Sequence, residues 1–273
     1  MPPDQVSILA LPGPVRAAAS DGTRVWCAAG GRLLAYEPNG APLLEAPEPP
    51  GLLVLAAVPG VVVAILEPGI VAWLNPGTGG VQLRHPLGGE LTAAAGANAV
   101  WALDRSSGRA WRLADAGALT EPIRLGNVDR IAPQGDRLWW TSRHDSLLRG
   151  GTQPVDLGAD ASGRGGMTVC AGSVWVSVHG ALLRVGAWAA ELGPPVAAPE
   201  GPVPHLACAD GVLVGGSGHH GLFLLDPSID ADVRHLDVDL GGELDFLVVT
   251  RPIAWAIPAG RPQARLVAIR PPG

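Results

Sequence analysis

Histidine is the residue type in this sequence with the clearest chemical potential. Five of the seven histidines lie between positions 144 and 220: His144, His179, His205, His219 and His220. Histidine exchanges protons near neutral pH and is the commonest metal ligand in proteins. We therefore predict that His179, His205 and His219 carry acid–base chemistry. His179 and His219 are the pair that could also hold a metal ion.

Charged residues elsewhere in the chain could assist these histidines. Arg130 is predicted to stabilise negative charge that develops on a substrate, and Asp245 to orient a histidine. A further group is predicted to bind substrate: Arg16, Glu67, Arg105, His144, His220 and Arg261. Side chains of these types are also common in solvated loops, so a purely structural role stays open for each one.

Short motifs exclude several other chemistries. Gly216, Gly218 and Gly221 match the spacing of a dinucleotide-binding loop, but FLLDP follows and predicts a strand. That loop needs a following helix, whose N-terminus holds the pyrophosphate. The chain also lacks the GxSxG, HExxH and CxxC patterns. We therefore assign no cofactor and keep a divalent metal ion as the one candidate.

The composition limits the fold class. The chain has 273 residues, of which 38 are Gly and 27 are Pro, while 47% are hydrophobic and 16% are charged. This hydrophobicity excludes a disordered chain, and so many helix breakers exclude a helical bundle. Gly or Pro also interrupts every apolar run before it reaches membrane-spanning length. The composition predicts a turn-rich β protein.

Charge and cysteine content limit partners and location. The net charge is −6, every basic side chain is Arg, and no basic stripe is present, which argues against nucleic-acid and membrane partners. The first residues lack the pattern of a secretory signal, and three cysteines do not form a disulfide framework. We therefore expect a cytoplasmic monomer that binds a small molecule, and a protein partner is kept as an alternative. Cys170 and Cys208 are expected to be small core residues.

A repeat predicts the fold. A short apolar segment, a turn and a second apolar segment recur seven times, and the steps between successive copies are 38, 38, 38, 38, 37 and 40 residues. The opening residues of these copies are Arg16, Val54, Thr92, Arg130, Thr168, His205 and Asp245. This period is typical of a β-propeller blade of four strands. We predict an all-β, seven-bladed propeller.

The whole chain is expected to be one domain, 1–273. The predicted blades span residues 13–50, 51–88, 89–126, 127–164, 165–201, 202–241 and 242–273. The last copy has room for only three strands, so we predict that a strand at residues 5–11 completes blade 7 and closes the ring. Closure removes the exposed edges that make an open sheet prone to aggregation.

Tryptophans recur with the repeat. One position in the second strand is shared by Trp26, Trp101, Trp139, Trp175 and Trp255. Trp73 and Trp111 share a position in the third strand. A large residue at one position of each blade predicts packing between blades, which we favour over a stacking or sugar-binding role.

Propeller topology gathers the candidate residues. The first strand of each blade begins on one face, here called the upper face, and the second strand returns to it. All eleven candidates sort to this face because they open first strands or follow second strands: Arg16, Glu67, Arg105, Arg130, His144, His179, His205, His219, His220, Asp245 and Arg261. His85 and His235 fall in outer strands and are expected to be exposed.

The blade sequence DGTRVWCAAGGRLLAYEPNG at 21–40 and its echo AGSVWVSVHGALLRV at 171–185 resemble the streptogramin lyase-like propellers, which are close to NHL and PQQ-type repeats. The resemblance implies a seven-bladed ring and the opening of a cyclic ester by elimination. The resemblance also implies an active site made of histidines from adjacent blades, a Glu and a magnesium ion. His179 and His219 match the histidine pair. The region of the family's Glu holds Asp232, Val233 and Arg234.

The sequence leaves two functions open. The first is a small-molecule enzyme of lyase, cyclase or isomerase type at the upper mouth of the channel, in bacterial secondary metabolism. The alternative is a non-catalytic propeller that binds a protein or ligand on the same face. An enzyme should have a concave pocket with convergent polar groups, whereas a platform should expose an apolar patch.

Overall fold

The structure is a computed structural model. It describes residues 6–96, 98–113, 117–159, 163–186, 191–197, 203–209, 211–216, 221–227, 233–250 and 252–269. The described part contains no helical segment with the length and apolarity needed to cross a bilayer.

Seven four-stranded antiparallel sheets form a closed ring, which confirms the predicted seven-bladed propeller. Blade 1 contains β2 (Val15–Ser20), β3 (Val25–Ala29), β4 (Arg32–Tyr36) and β5 (Pro42–Pro47). Blade 2 contains β6 (Leu52–Val58), β7 (Val61–Leu66), β8 (Ile70–Leu74) and β9 (Val81–Pro86). Blade 3 contains β10 (Leu91–Gly96), β11 (Ala99–Asp104), β12 (Arg109–Leu113) and β13 (Ile123–Arg124). Blade 4 contains β14 (Arg130–Gln134), β15 (Arg137–Thr141), β16 (Leu147–Arg149) and β17 (Val155–Asp156).

The other three blades complete the ring. Blade 5 contains β18 (Arg164–Cys170), β19 (Ser173–Val178), β20 (Ala181–Gly186) and β21 (Val196–Ala197). Blade 6 contains β22 (His205–Ala209), β23 (Val212–Gly216), β24 (Leu222–Leu225) and β25 (Val233–Leu236). Blade 7 contains β26 (Leu244–Thr250), β27 (Ile253–Pro258), β28 (Gln263–Ala268) and, as its outer strand, β1 (Val6–Ala10).

The N-terminal strand closes the ring as predicted. β1 pairs antiparallel with β28 in a continuous register from Val6 opposite Val267 to Ala10 opposite Gln263. The Leu11 amide then donates a hydrogen bond to the Pro262 carbonyl at 2.9 Å. The two ends of the chain therefore share one sheet, and blade 7 has four strands like the other blades.

The second strand of each blade is the most hydrophobic because it lies between two neighbouring blades. β3, β7, β11 and β19 are buried at every position. The outer strand β5 is exposed or half-buried throughout. A strand covered on both faces has no polar side, so it appears in the sequence as a continuous apolar run.

The core is divided among the interfaces between blades. Seven clusters of buried apolar residues each join two neighbouring blades. Trp26, Trp139, Trp175 and Trp255 lie in four different clusters and are at most 2% exposed. This confirms that the recurring tryptophans pack blade against blade.

Blade 2 has Val63 at the tryptophan position, and its interface is filled differently. Trp73 on β8 and Trp111 on β12 both pack into the cluster between blades 2 and 3. Two third-strand tryptophans thus supply the volume that the second strand lacks there. Trp188 lies outside the described residues.

Cys170 and Cys208 correct a prediction. They lie on the first strands of neighbouring blades, their Cα atoms are 5.3 Å apart, and their sulfur atoms form a disulfide. Both cysteines lie in the apolar cluster between blades 5 and 6, as expected of small core residues, but the expectation that they form no disulfide was wrong. Their separation of 38 residues, which is one repeat, places them at equivalent positions of neighbouring first strands, and this spacing was the available signal.

Candidate active site

The upper mouth of the channel is shaped by β-bulges in the first strands. Arg16 is the extra residue between Val15 and Ala17 on β2, and Asp245 is the extra residue between Leu244 and Phe246 on β26. A bulge leaves one residue unpaired and changes the direction of its side chain. Both side chains are exposed at the rim of the channel.

His205 opens β22, where the register is regular. Its Nε2 lies 3.0 Å from the Leu244 carbonyl oxygen of blade 7. A carbonyl can only accept, so Nε2 carries the hydrogen and donates, and Nδ1 keeps the lone pair. The contact fixes the tautomer of a half-buried imidazole.

The electrostatic surroundings keep His205 neutral. Burial lowers the pKa of His205 below its ordinary value of 6.5. The Leu244 hydrogen bond and the carboxylates of Asp245 and Glu243 act in the opposite direction, while the positive charge of Arg130 lowers the pKa further. The structure therefore brings the predicted residues Arg130 and Asp245 within electrostatic reach of His205. The outcome is an uncharged imidazole at neutral pH.

A small cavity lies beside this cluster, between blades 3 and 4. Its volume is about 170 Å³, and both Arg105 and Arg130 line it. Asp129 lines it too, and the apolar part of its wall includes Leu103 and Met167. Arg130, predicted to stabilise negative charge, and Arg105, predicted to bind substrate, thus line one concave pocket.

Asp129 is tied to a buried arginine. The Arg164 side chain is fully buried, and its Nη2 lies 3.7 Å from Asp129 Oδ2. Arg164 also donates hydrogen bonds to the carbonyls of Ser142 and Asp145, the second at 2.9 Å. A buried guanidinium needs a compensating charge and carbonyl acceptors. These contacts anchor the loop after β15 to the start of blade 5.

Two other predicted residues at the mouth have structural partners. Arg16 forms an ion pair with Glu48, whose side chain is only 5% exposed. Glu67 is exposed, and its amide donates to the Gly51 carbonyl at 2.8 Å. The structure therefore offers a structural role for Arg16 beside the predicted role in substrate binding.

His179 lies in a tight turn. His179 and Gly180 connect β19 to β20 with φ angles of 46° and 79°, which is the left-handed pair that a two-residue hairpin turn requires. The imidazole is exposed and packs over Gly163, where any Cβ would clash with the ring. The His179 amide also donates to the Gly163 carbonyl at 2.8 Å.

The remaining predicted residues are exposed or undescribed. His144 and Arg261 are exposed in loops on the upper face. His219 and His220 lie outside the described residues. Across the part of the chain that the structure describes, no three His, Cys, Asp or Glu side chains are grouped as metal ligands. The described residues alone therefore do not build a metal centre.

His85 differs from the expectation of an exposed outer-strand histidine. It is half-buried, with Nε2 donating to the Gly117 carbonyl at 3.0 Å and the ring edge-on to Trp73 at 5.4 Å. It is a packing residue between blades 2 and 3. His235 is exposed as expected.

The central channel below the mouth has a volume of about 650 Å³. Small side chains such as Ala18, Ala56 and Ala94 line it. The inner edges of the first strands carry backbone groups that no neighbouring strand pairs, so the wall is polar as well as apolar.

Large exposed apolar side chains are spread around the rim instead of forming a patch. Ile8, Leu43, Leu83 and Ile123 are 63%, 48%, 38% and 41% exposed. They lie on the outer strands of four different blades. Leu192 is 48% exposed, and Leu53, the extra residue of a bulge in the first strand β6, is 46% exposed. The large exposed apolar side chains among the described residues are therefore distributed over several blades.

Sequence reasoning missed Asp129, Arg164, Glu48 and Glu243 as parts of this mouth. Asp129 directly precedes the predicted Arg130, which was an available signal. The other three are isolated charges at blade junctions. Their partners are distant along the chain, so spacing could not reveal them.

Comparison with known proteins supports the fold. No protein-family model matches the chain, and no curated protein matches it in sequence. Among solved structures, it is similar to virginiamycin B lyase from Staphylococcus aureus, with a TM-score of 0.73 and 14% identity over 98% of this chain and 100% of the other. A streptogramin B lyase structure gives a TM-score of 0.74 and 14% identity, covering 98% of each chain. BamB from Moraxella catarrhalis gives 0.59 and 15%, covering 93% and 85%. The chain thus shares its seven-bladed propeller fold with these streptogramin lyases.

Proposed function

We propose that this protein is a small-molecule enzyme whose site is the upper mouth, where His205 acts as a general base. The observation that carries the proposal is the neutral, half-buried imidazole with a fixed tautomer, set between the charges of Arg130 and Asp245. A base must be unprotonated at the working pH and held in one orientation. The likeness in fold to streptogramin lyases supports the same reading.

The roles of the three residues follow from their chemistry. His205 Nδ1 accepts a proton from the substrate. Arg130 stabilises the negative charge that remains after the proton is removed. Asp245 is near enough to stabilise the imidazolium that forms, because its carboxylate favours the charged form of His205. This sequence of events suits an elimination, a cyclisation or an isomerisation.

The test is a substrate panel with a matched pair of variants. Purified protein is incubated with lactones and cyclic depsipeptide esters, and products are identified by mass spectrometry. Elimination opens a ring without changing the mass, whereas hydrolysis adds one water. We expect His205→Gln to abolish turnover and His235→Gln, which removes an exposed outer-strand histidine, to leave it unchanged. Equal turnover in both variants contradicts the role of His205.

The pH profile provides a second measurement. Because the pKa of His205 is lowered, the base is unprotonated at neutral pH. The rate should then be flat above about pH 6.5 and fall as the pH drops through the lowered pKa. A rate that rises on acidification would contradict the assignment.

Magnesium is tested in the same assay, since the family resemblance assigns that ion to His179 and His219. Turnover is compared with EDTA and with added MgCl₂, in wild type and in His179→Ala. A magnesium requirement that His179→Ala abolishes supports a metal at this loop. If saturable binding occurs without turnover of any substrate, the protein is the non-catalytic binding platform instead.

A further inference from the structure

The pocket between blades 3 and 4 has an excess of positive charge. Arg105 and Arg130 line it, and within the described residues Arg105 has no ion pair. Arg130 forms a long ion pair with Asp129, in which Asp129 Oδ2 lies 3.9 Å from Arg130 Nε, beyond hydrogen-bond distance. Arg130 Nε itself makes no hydrogen bond within the described residues.

Asp129 does not cancel this charge, because the fully buried guanidinium of Arg164 lies slightly closer to the same carboxylate oxygen. The buried guanidinium of Arg164 needs counter-charge, and Asp129 supplies part of it together with the carboxylate of Asp145. Asp129 is therefore shared between Arg164 and Arg130 and does not fully offset the charge of Arg130. Arg105, which has no ion pair within the described residues, is the second guanidinium that lines the cavity.

The shape of the pocket limits what can neutralise it. A volume of about 170 Å³ admits a small group and excludes a macromolecule. Leu103, Ile131 and Met167 form an apolar part of the wall beside the two arginines. Guanidinium groups match the planar, two-oxygen geometry of carboxylates and the oxygens of phosphates.

From this geometry we infer that the pocket lined by Arg105 and Arg130 is an anion subsite that recognises the carboxylate or phosphate of a small molecule with an apolar body next to its charge. The inference rests on the proposed function, since it names the substrate class of that site. It adds a requirement that the proposed chemistry does not contain, namely that the substrate is acidic.

The experiment measures binding without turnover. Benzoate, phenyl phosphate and the neutral benzamide are titrated against the protein at constant ionic strength by isothermal titration calorimetry. We expect benzoate or phenyl phosphate to bind at least tenfold more tightly than benzamide, and whichever anion binds more tightly identifies the charged group. Binding of benzamide equal to that of both anions overturns the inference.

Three arginine variants distinguish the pocket from general attraction to a charged surface. Arg105→Gln and Arg130→Gln should each weaken anion binding at least tenfold. Arg143→Gln removes the same charge from an exposed position on the loop after β15 and should change binding less than twofold. Equal weakening in all three variants overturns the inference. Arg130→Lys and a thermal melt of every variant separate loss of charge from loss of fold.

His205→Gln separates this inference from the proposed function. It should keep anion binding within twofold of wild type while losing turnover. Anion binding that depends on the two arginines, with no turnover of any substrate, supports the subsite and contradicts the enzyme. Turnover of neutral substrates with no anion binding supports the enzyme and contradicts the subsite.

Discussion

Closure of the ring by the N-terminal strand can be tested with two substitutions three residues apart. Leu11 follows β1, is 7% exposed, and packs with Val15, Trp255 and Leu266 between blades 1 and 7. Ile8 lies within β1 and is 63% exposed. The two side chains are close in size, and they share the seam while differing in burial.

The expected effects follow from that burial. Replacing a buried Leu by Ala costs about 2–5 kcal/mol, since it removes apolar contacts and leaves a cavity. An exposed substitution changes stability by less than about 0.5 kcal/mol. For a chain of this size, about 3 kcal/mol corresponds to a fall in Tm of roughly 6–12 °C. Leu11→Ala should show that fall, and Ile8→Ala should melt within a degree or two of wild type.

The assay is thermal unfolding by circular dichroism, with urea denaturation to obtain the free energy of unfolding. A third variant that lacks residues 1–12 removes the whole strand and its ladder with β28. At about 1 kcal/mol per hydrogen bond, and with the burial of Leu11 also lost, the cost is of the order of the whole stability of a typical domain. If this truncated protein melts with wild type, or if Leu11→Ala and Ile8→Ala are indistinguishable, ring closure does not stabilise the fold.

Three further predictions concern the disulfide and two titrating groups. The bond between Cys170 and Cys208 closes a segment of 38 residues, so the chain-entropy relation predicts a loss of about 4 kcal/mol on its removal; dithiothreitol should lower the Tm of wild type but not that of the double Cys→Ser variant. Burial raises the pKa of Asp104, but hydrogen bonds from Ser106, Ser107 and the Glu90 amide outweigh it and lower the pKa to about 2. The ionised form of Asp104 therefore stabilises the fold above about pH 4, and on the order of 2 kcal/mol of the free energy of unfolding is lost as the pH falls toward 2. The urea midpoint of Asp104→Asn should therefore depend less on acid pH than that of wild type. His205 has a lowered pKa, so the unfolded chain binds its proton first and stability should decline as the pH falls below 6.5; His205→Gln should flatten that decline, and an unchanged slope would contradict the burial of the imidazole.

Parts of the candidate site were predictable because they depend on the repeat. Arg130, His205 and Asp245 open first strands, and ring topology brings such positions to one face whatever the details of packing. In the structure the charges of Arg130 and Asp245 act on His205, and the roles assigned to these residues stay predictions. The bulge at Asp245 could not be foreseen, because no local sequence signal at this position specifies a bulge.

Other parts depend on contacts between distant residues. Asp129 pairs with Arg164 across the boundary between blades 4 and 5, and Arg16 pairs with Glu48, which follows the outer strand of the same blade. The repeat spacing does not show that these charges meet. The two cysteines stand one repeat apart, but their sulfur atoms meet only when blade 5 packs on blade 6.

The sequence by itself determined the number of blades, the order of the strands and the role of the recurring tryptophans. A 38-residue period of apolar segments and turns is a local property, and each blade must bury its faces against its neighbours. Tertiary structure alone decided which charges remain available at the mouth, which histidine is held neutral and which cysteines are joined. Those properties depend on distances across blade junctions, and such distances exist only after the ring has closed.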